Sequence, residues 1–534
     1  MADEHNKLEA LRSAVPALSG AGSSRVLPGM AGMLVAAVVL AAGIWLPGSD
    51  PSMAHLEPAP LVKAAKDLAA AEYEPEAVVT LEEKRALASS APRPEKLANA
   101  QETIDDNAVV HGTLNGVNYT VRGRGMKAAQ DNKVTLAAVG DQLASDGALA
   151  MADANAGEVG DGAYDFNPWY REVGPFICEQ DLRFINQETV MIDTGEYGYA
   201  GYPSFNTPGT AAQAIANQGF NVVNFTTNHS YDYDKLGIER SHEVWAQYPQ
   251  LLIGGSFLSK QDRETVQMIE RNGQTFAFLH YTYGDNRFDS IDQFPNTYYS
   301  CGFDYALAEA DIKRAKQVAD CVIVVMHWGT EYTPEPDSNQ REWSQWLADQ
   351  DVDLVLGTHA HTIQPVEYVE GKTGNKVLVV FGLSDFVSGW DVTAPIISGI
   401  FTCDMVRDEQ TGRISPQNPV WHPTIEWSDG KESNYVRLLA NMSKEETNAN
   451  IHTPDIEDDY VYTRTLTNEI ITQIPVDWGD SELVDAAASE PGEAQSSEET
   501  EVSEEGQASE EAQALEEQPE EQPEEDNAES TEQE

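Results

Sequence analysis

Two apolar runs dominate the hydrophobic pattern of the chain. Cys321-Val322-Ile323-Val324-Val325-Met326 stops at His327-Trp328-Gly329, and Asp353-Leu354-Val355-Leu356 stops at Gly357-Thr358-His359-Ala360-His361. Neither run alternates with polar residues, which predicts strands buried on both faces, as in a parallel sheet covered by helices. Around them the pattern switches repeatedly between strand and helix. Strands are predicted at Val134–Val139, Leu182–Ile185, Val222–Phe225, Val377–Phe381 and Ile396–Cys403. Helices are predicted at Pro168–Glu179, Thr210–Gln218 (ended by Gly219), Lys235–Ala246, Tyr305–Ala319 and Asn339–Asp349. Hairpins are predicted at Val109–Arg122 around Asn115-Gly116 and at Gln267–Tyr281 around Asn272-Gly273, both favoured two-residue turns. This β-α-β order implies a mostly parallel sheet with helices on both of its faces.

The ends of the chain follow different patterns. From Leu27 to Leu46 no residue is charged, a span long enough to cross a bilayer as a helix. Arg25 before it, Trp45 at its far end, and Asp50 and Glu57 after it favour an inside N-terminus. The alternative is a signal peptide cut after Ser52-Met53-Ala54; the length of the apolar stretch favours a retained anchor. Either way the rest of the chain lies outside the cytoplasm. The expected organisation is a cytoplasmic segment at 1–26, a transmembrane anchor at 27–46, a stalk with the small hairpin at 47–130, an α/β domain at 131–408, its C-terminal extension at 409–480 and an acidic tail at 481–534.

Composition adds one exclusion. The chain has 534 residues and a formal net charge of −56. Much of that charge follows Val484, and no Lys or Arg follows Arg464, so the tail is expected to be disordered. So acidic a chain does not suit a nucleic-acid partner, which would need clustered Lys and Arg. Cys178, Cys301, Cys321 and Cys403 show no Cys-x-x-Cys spacing, which argues against a thiolate zinc site and leaves free thiols or disulfides open.

The chemistry gathers where strands end. In open α/β sheets ligands collect beyond the carboxyl ends of the strands. Here those ends read Gly140-Asp141, Asn186-Gln187-Glu188, Thr227-Asn228-His229 with Asp232, then His327, then His359 and His361. A mixed set of Asp, Glu, Asn and His is what a two-metal hydrolytic site requires, carboxylates suiting Mn, Fe or Mg and imidazoles adding affinity for transition metals.

Taken in order, Gly140-Asp141, Asn186-x-Glu188, Asn228-His229-x-x-Asp232, His327-Trp328-Gly329-x-Glu331-Tyr332 and Gly357-x-His359-x-His361 resemble the CapA family of poly-γ-glutamate capsule proteins. Tyr281-Thr282-Tyr283-Gly284-x-Asn286 also resembles a family segment. The resemblance covers about Val134 to Cys403 and implies a four-layer α/β/β/α sandwich of the calcineurin-like metallophosphatase type. By position it implies Asp141, Glu188, Asn228, His327, His359 and His361 as metal ligands, with Glu188 as the bridge. It implies His229 as general acid, or as a hydrogen-bond donor to the transition state, with Asp232 orienting it. Two positions depart from the family: Asp234 stands where Gly is usual, and Ser384-Asp385-Phe386 replaces a late Gly-Asn-Phe. Asp385 is expected to be a surface-loop carboxylate, with an added charge near the site as the alternative.

The function this implies is that of a membrane-anchored extracytoplasmic protein for synthesis or export of a poly-γ-glutamate-like envelope polymer. It would carry two divalent metal ions (Mn, Fe or Zn) in a hydrolase site. The alternatives are a non-catalytic factor that binds the anionic polymer and partners its membrane synthase, or a metal-dependent phosphoesterase.

Overall fold

The computed structural model describes residues 105–124, 132–193, 197–295, 297–390, 393–430, 434–453 and 456–479. The predicted anchor at 27–46, the signal-peptide alternative, the stalk apart from residues 105–124, and the acidic tail lie outside them. Among the described residues no helix is long and apolar enough to cross a membrane.

Among the described residues sixteen strands form two sheets instead of the single sheet that the β-α-β order implied. They are β1 Asp105–Leu114, β2 Val117–Arg124, β3 Lys133–Gln142, β4 Leu182–Gln187, β5 Val222–Asn224, β6 Leu252–Gly254, β7 Val266–Arg271 and β8 Gln274–Thr282. They continue with β9 Cys321–His327, β10 Leu354–Thr358, β11 Val366–Glu370, β12 Lys376–Val380, β13 Asp385–Val387, β14 Ile397–Arg407, β15 Ile414–Trp427 and β16 Tyr435–Leu438. One sheet runs β1-β2-β7-β8-β9-β10-β12-β11; the other runs β16-β15-β14-β3-β4-β5-β6, with β13 paired to β3. The first sheet has a parallel centre, β8-β9-β10-β12, whereas in the second the parallel strands β3-β4-β5-β6 run to one edge and the antiparallel strands β14, β15 and β16 to the other.

The layers follow from which side chains pack together. Val134, Leu136 and Phe184 of the second sheet meet Phe278, Ile323, Val325, Leu354 and Leu356 of the first in one apolar layer between the sheets. Val322, Val324, Met326 and Val355 point the other way, onto the helices Tyr305–Val318 and Ser338–Asp349. Ala137, Val139, Ile185 and Val223 face the helices Asp146–Ala156 and Thr210–Asn217. The result is helices, sheet, sheet, helices. This layering accounts for an unbroken apolar run such as β9: one face meets a helix layer, the other meets a second sheet.

Other differences have local causes. The predicted helix at Pro168–Glu179 is a 3-10 turn, Asn167–Tyr170, followed by a short helix, Gly174–Cys178. Pro175 breaks it, because its ring and missing N–H cannot continue a helix from the preceding turn. The hairpin assigned to the stalk is instead an edge of the first sheet, through parallel pairing of β2 with β7. β14 makes extended antiparallel pairs with both β3 and β15, so residues beyond 408 complete the second sheet. All four cysteines are free thiols; Cys178 is exposed and the other three are buried.

Candidate metal centre

The two sheets bring different chemistry to one end of the sandwich. Asp141 is the penultimate residue of β3, Glu188 follows β4, and Asn228 lies four residues beyond β5. His327 ends β9, and His359 and His361 follow β10. The oxygen donors therefore come from one sheet and the imidazoles from the other. All six are buried.

Backbone geometry holds them there. His359 (φ 91°) and His361 (φ 51°) both adopt the left-handed conformation that non-glycine residues rarely take. Such strain persists only when the surroundings impose it, and it clusters at functional sites. Here it turns two histidines separated only by Ala360 into the same seam. Gly140 is needed for a different reason. A Cβ at this position would stand 1.7 Å from the Ser384 carbonyl oxygen, which accepts the Asp141 N–H at 3.0 Å. Similarly, a Cβ on Gly357 would lie 2.0 Å from the Phe381 carbonyl.

The donor atoms converge. Glu188, His359 and His361 form one group whose ligand atoms lie within 4.8 Å of one another; Asp141, Glu188 and His327 form a second, and Asp141, His361 and Asp385 a third. His327 Nδ1 contacts Thr358 Oγ1 at 2.9 Å, and its Nε2 lies 2.9 Å from Asn228 Oδ1 and 3.6 Å from Glu188 Oε1. His361 Nε2 lies 3.7 Å from Glu188 Oε1, and its Nδ1 lies 3.5 Å from Asp141 Oδ2 and 2.7 Å from Asp385 Oδ1. Asp141 is held by Asn186 Nδ2, which donates to its Oδ1 at 2.8 Å, and by the His359 N–H at 3.2 Å.

Electrostatics are consistent with a cation site. Desolvation, then His359, His361 and His229, lower the His327 pKa well below the ordinary value. Desolvation, then His361 and His229, do the same for His359. Both imidazoles are thus neutral, the form that ligates metals, and the His327–Glu188 contact is not an ion pair. Burial and then Asp141 push the Glu188 carboxyl well above its usual range. For His361, burial opposes the charged form, yet Asp385 and then Glu188 raise its pKa overall. Among the described residues, both Glu188 carboxylate oxygens, His359 Nδ1 and Asp385 Oδ2 are buried without a hydrogen-bond partner. Buried polar atoms of native proteins are otherwise almost always paired. Three carboxylates, three imidazoles and an amide oxygen with spare lone pairs fit divalent metal ions.

His229 sits beside this cluster without joining any of the three groups. Its Nδ1 is 2.9 Å from Asp232 Oδ2, which also accepts the Phe205 N–H at 2.7 Å. Its Nε2 is 3.3 Å from Asn286 Nδ2, and Asn286 is tied back to Asn228 through an N–H to carbonyl bond of 2.9 Å. Asn286 was visible in the sequence as part of a family-like segment but carried no role there. Asp385 corrects the surface-loop expectation: it is fully buried, on β13 beside β3, and bonded to His361. Its signal was available, since it follows the apolar run at Val377–Phe381 as the other donors follow theirs. Asp234, the other departure, takes φ 52°, a conformation that Gly would adopt without strain.

A mixed α/β protein with a buried cluster of histidines and carboxylates defines a candidate metal-binding class. Residues 135–390 match the model of a family described as bacterial capsule synthesis protein PGA_cap. Over 185 residues it is 26% identical to the PGA biosynthesis protein CapA of Bacillus subtilis (strain 168), an overlap of 34% of this chain and 47% of that one. Over 280 residues it is 24% identical to the capsule biosynthesis protein CapA of Bacillus anthracis, covering 50% of this chain and 63% of that one. The match therefore spans about half to just under two-thirds of those relatives' own lengths. Among solved structures, the sulfate thiohydrolase SoxB of Thermus thermophilus in complex with glycerol overlaps 54% of this chain and 42% of its own, at 11% identity. Its TM-score of 0.27 is too low for that overlap to define the fold.

Proposed function

We propose that this protein serves the synthesis or export of a poly-γ-glutamate-like capsule or envelope polymer, as a metal-dependent hydrolase of metallophosphatase type anchored at the outer face of the cell membrane. In this reading Asp141, Glu188, Asn228, His327, His359 and His361 hold two divalent cations, with Glu188 between them. Bound there, such cations would lower the pKa of water enough to supply hydroxide at neutral pH and would polarise the bond to be cleaved. Asn186 and the His359 N–H hold the Asp141 carboxylate. Asp232 fixes the His229 ring through Nδ1, leaving Nε2 as the atom that delivers a proton to the leaving group. Asn286 Nδ2 lies 3.3 Å from that nitrogen and helps to fix the ring.

The observation that carries the reading is the set of buried, unpartnered donor atoms on Glu188 and His359 at the seam where the two sheets meet. Elemental analysis of the purified chain tests it: divalent metal is expected in the unaltered protein and a marked loss in Glu188→Gln. His229→Ala should keep the metal and lose about 10²–10⁴-fold in hydrolysis of poly-γ-glutamate or of a model phosphoester. A metal-free unaltered chain would refute the centre. Capsule output undiminished in His229→Ala would refute the catalytic role and leave a binding role.

A further inference from the structure

The six motif donors divide unevenly between the two sides of Glu188. On one side stand Asn228, His327 and His359: Asn228 Oδ1 is 2.9 Å from His327 Nε2, and the rings of His327 and His359 lie 4.7 Å apart. Asp141 and His361, whose contact is 3.5 Å, make up the other side, although Asp141 also falls in a 4.8 Å cluster with Glu188 and His327, and His361 in one with Glu188 and His359. With Glu188 shared, the first position has four protein donors and the second has three.

Asp385 closes that gap. It pairs in register with Asp141 across β13 and β3, so the two carboxylates stand side by side. One atom each of Asp141, His361 and Asp385 falls within a 4.8 Å cluster. Asp385 Oδ1 contacts His361 Nδ1 at 2.7 Å, and Oδ2 is buried with no hydrogen-bond partner among the described residues. A fully buried carboxylate oxygen with no donor carries a desolvation cost that a coordinated cation would remove. Hard oxygen ligands of this kind suit Mn, Mg or Fe ions.

We infer that Asp385 is the fourth protein ligand of the cation held by Asp141, Glu188 and His361, which makes both metal positions four-donor sites bridged by one glutamate. The inference rests on the metal-centre reading above and adds to it a ligand and a donor asymmetry. The second position takes three carboxylates and one imidazole, whereas the first takes two imidazoles, an amide and a single carboxylate. The Asp385 side is therefore the harder site, suited to Mn²⁺ or Mg²⁺, and the His327–His359 side is the softer one.

The test is calorimetric titration of the chelator-treated full chain with Mn²⁺, with elemental analysis of the saturated protein. The unaltered chain is expected to bind two ions. Asp385→Leu is expected to bind one, and Asp385→Asn, which keeps an oxygen but loses the charge, to bind the second at least about tenfold more weakly. Two ions with unchanged affinities in Asp385→Leu would overturn the assignment. Should the leucine variant fail to fold, unchanged second-site affinity in Asp385→Asn would overturn it equally. An unaltered chain that takes up no Mn²⁺ would remove the metal centre itself, a result distinct from failure of this ligand alone.

Discussion

Individual side chains at the seam act under tight steric and electrostatic limits. Gly140 precedes Asp141 and touches the Ser384 carbonyl, so Gly140→Ala forces β3 and the segment before β13 apart. Overpacking of this kind costs about 1–3 kcal/mol, and the displaced carboxylate should lower metal content as well. Thermal unfolding and elemental analysis of the variant would register both changes, and a native melting temperature would refute the argument. Glu426 gives a pH test. It is buried and accepts hydrogen bonds from the Ser388 N–H and hydroxyl and from the Gly389 N–H. Desolvation is the largest influence on it and pushes its carboxyl up to about 8. A raised folded-state value means the folded protein holds the proton more tightly than the unfolded chain. Its contribution is therefore fully present below pH 4.5 and is lost as pH rises through about 8. Glu426→Gln should remove that component. In denaturant titrations the unaltered chain should lose stability relative to the variant between pH 5 and pH 8, by on the order of a few kcal/mol. An equal pH dependence in the two proteins would refute it.

Single elements place the donors, and their legibility in the sequence differed for physical reasons. β9 and β10 were readable because burial on both faces leaves no polar residue to interrupt Val, Ile and Leu. Their histidines were readable because an imidazole at the buried end of such a run must find a polar partner there. β13 was not readable: three residues are too few for a period, and Asp385 reads as polar although it is buried. β15 was missed because Gln417 and Asn418 in its first half are exposed and Pro416 and Pro419 interrupt the pattern. Two sheets rather than one could not be read from the residue pattern, since an apolar run does not reveal whether a helix or a second sheet covers it. The helix Ser338–Asp349 offers a test at this scale. Asp337 caps it, accepting the Gln340 N–H at 2.9 Å, while the Gln340 side chain accepts the Asp337 N–H. Gln340 also bonds Gln364 beneath the loop that follows His327. Asp337→Ala should cost about 1 kcal/mol of stability in a denaturant titration without changing metal content. A loss of metal in this variant would mean that the cap, and not only the strands, positions His327.

At the scale of the whole molecule, residues on the C-terminal side of the donor motifs are part of the framework. Trp421 on β15 is fully buried in the layer between the sheets, and Ile471 and Ile474 return to the same layer. The Trp421 backbone N–H donates to the Pro475 carbonyl, and its own carbonyl accepts the Asp477 N–H. A chain ending at Arg407 should therefore lose cooperative thermal unfolding, whereas one ending at Gly479 should keep it; a sharp transition in the shorter chain would refute this. The division of donors between sheets has a mechanical corollary. With anionic groups on one slab and imidazoles on the other, bound cations would rivet the sandwich at one end, while the apolar layer and ion pairs such as Arg407–Asp320 and Arg413–Asp353 join its remainder. Stripping the ions with a chelator should then speed amide exchange first in the residues around Asp141, Asn186 and Thr358, well before the distant end loosens, because the rivets and the greasy layer fail independently.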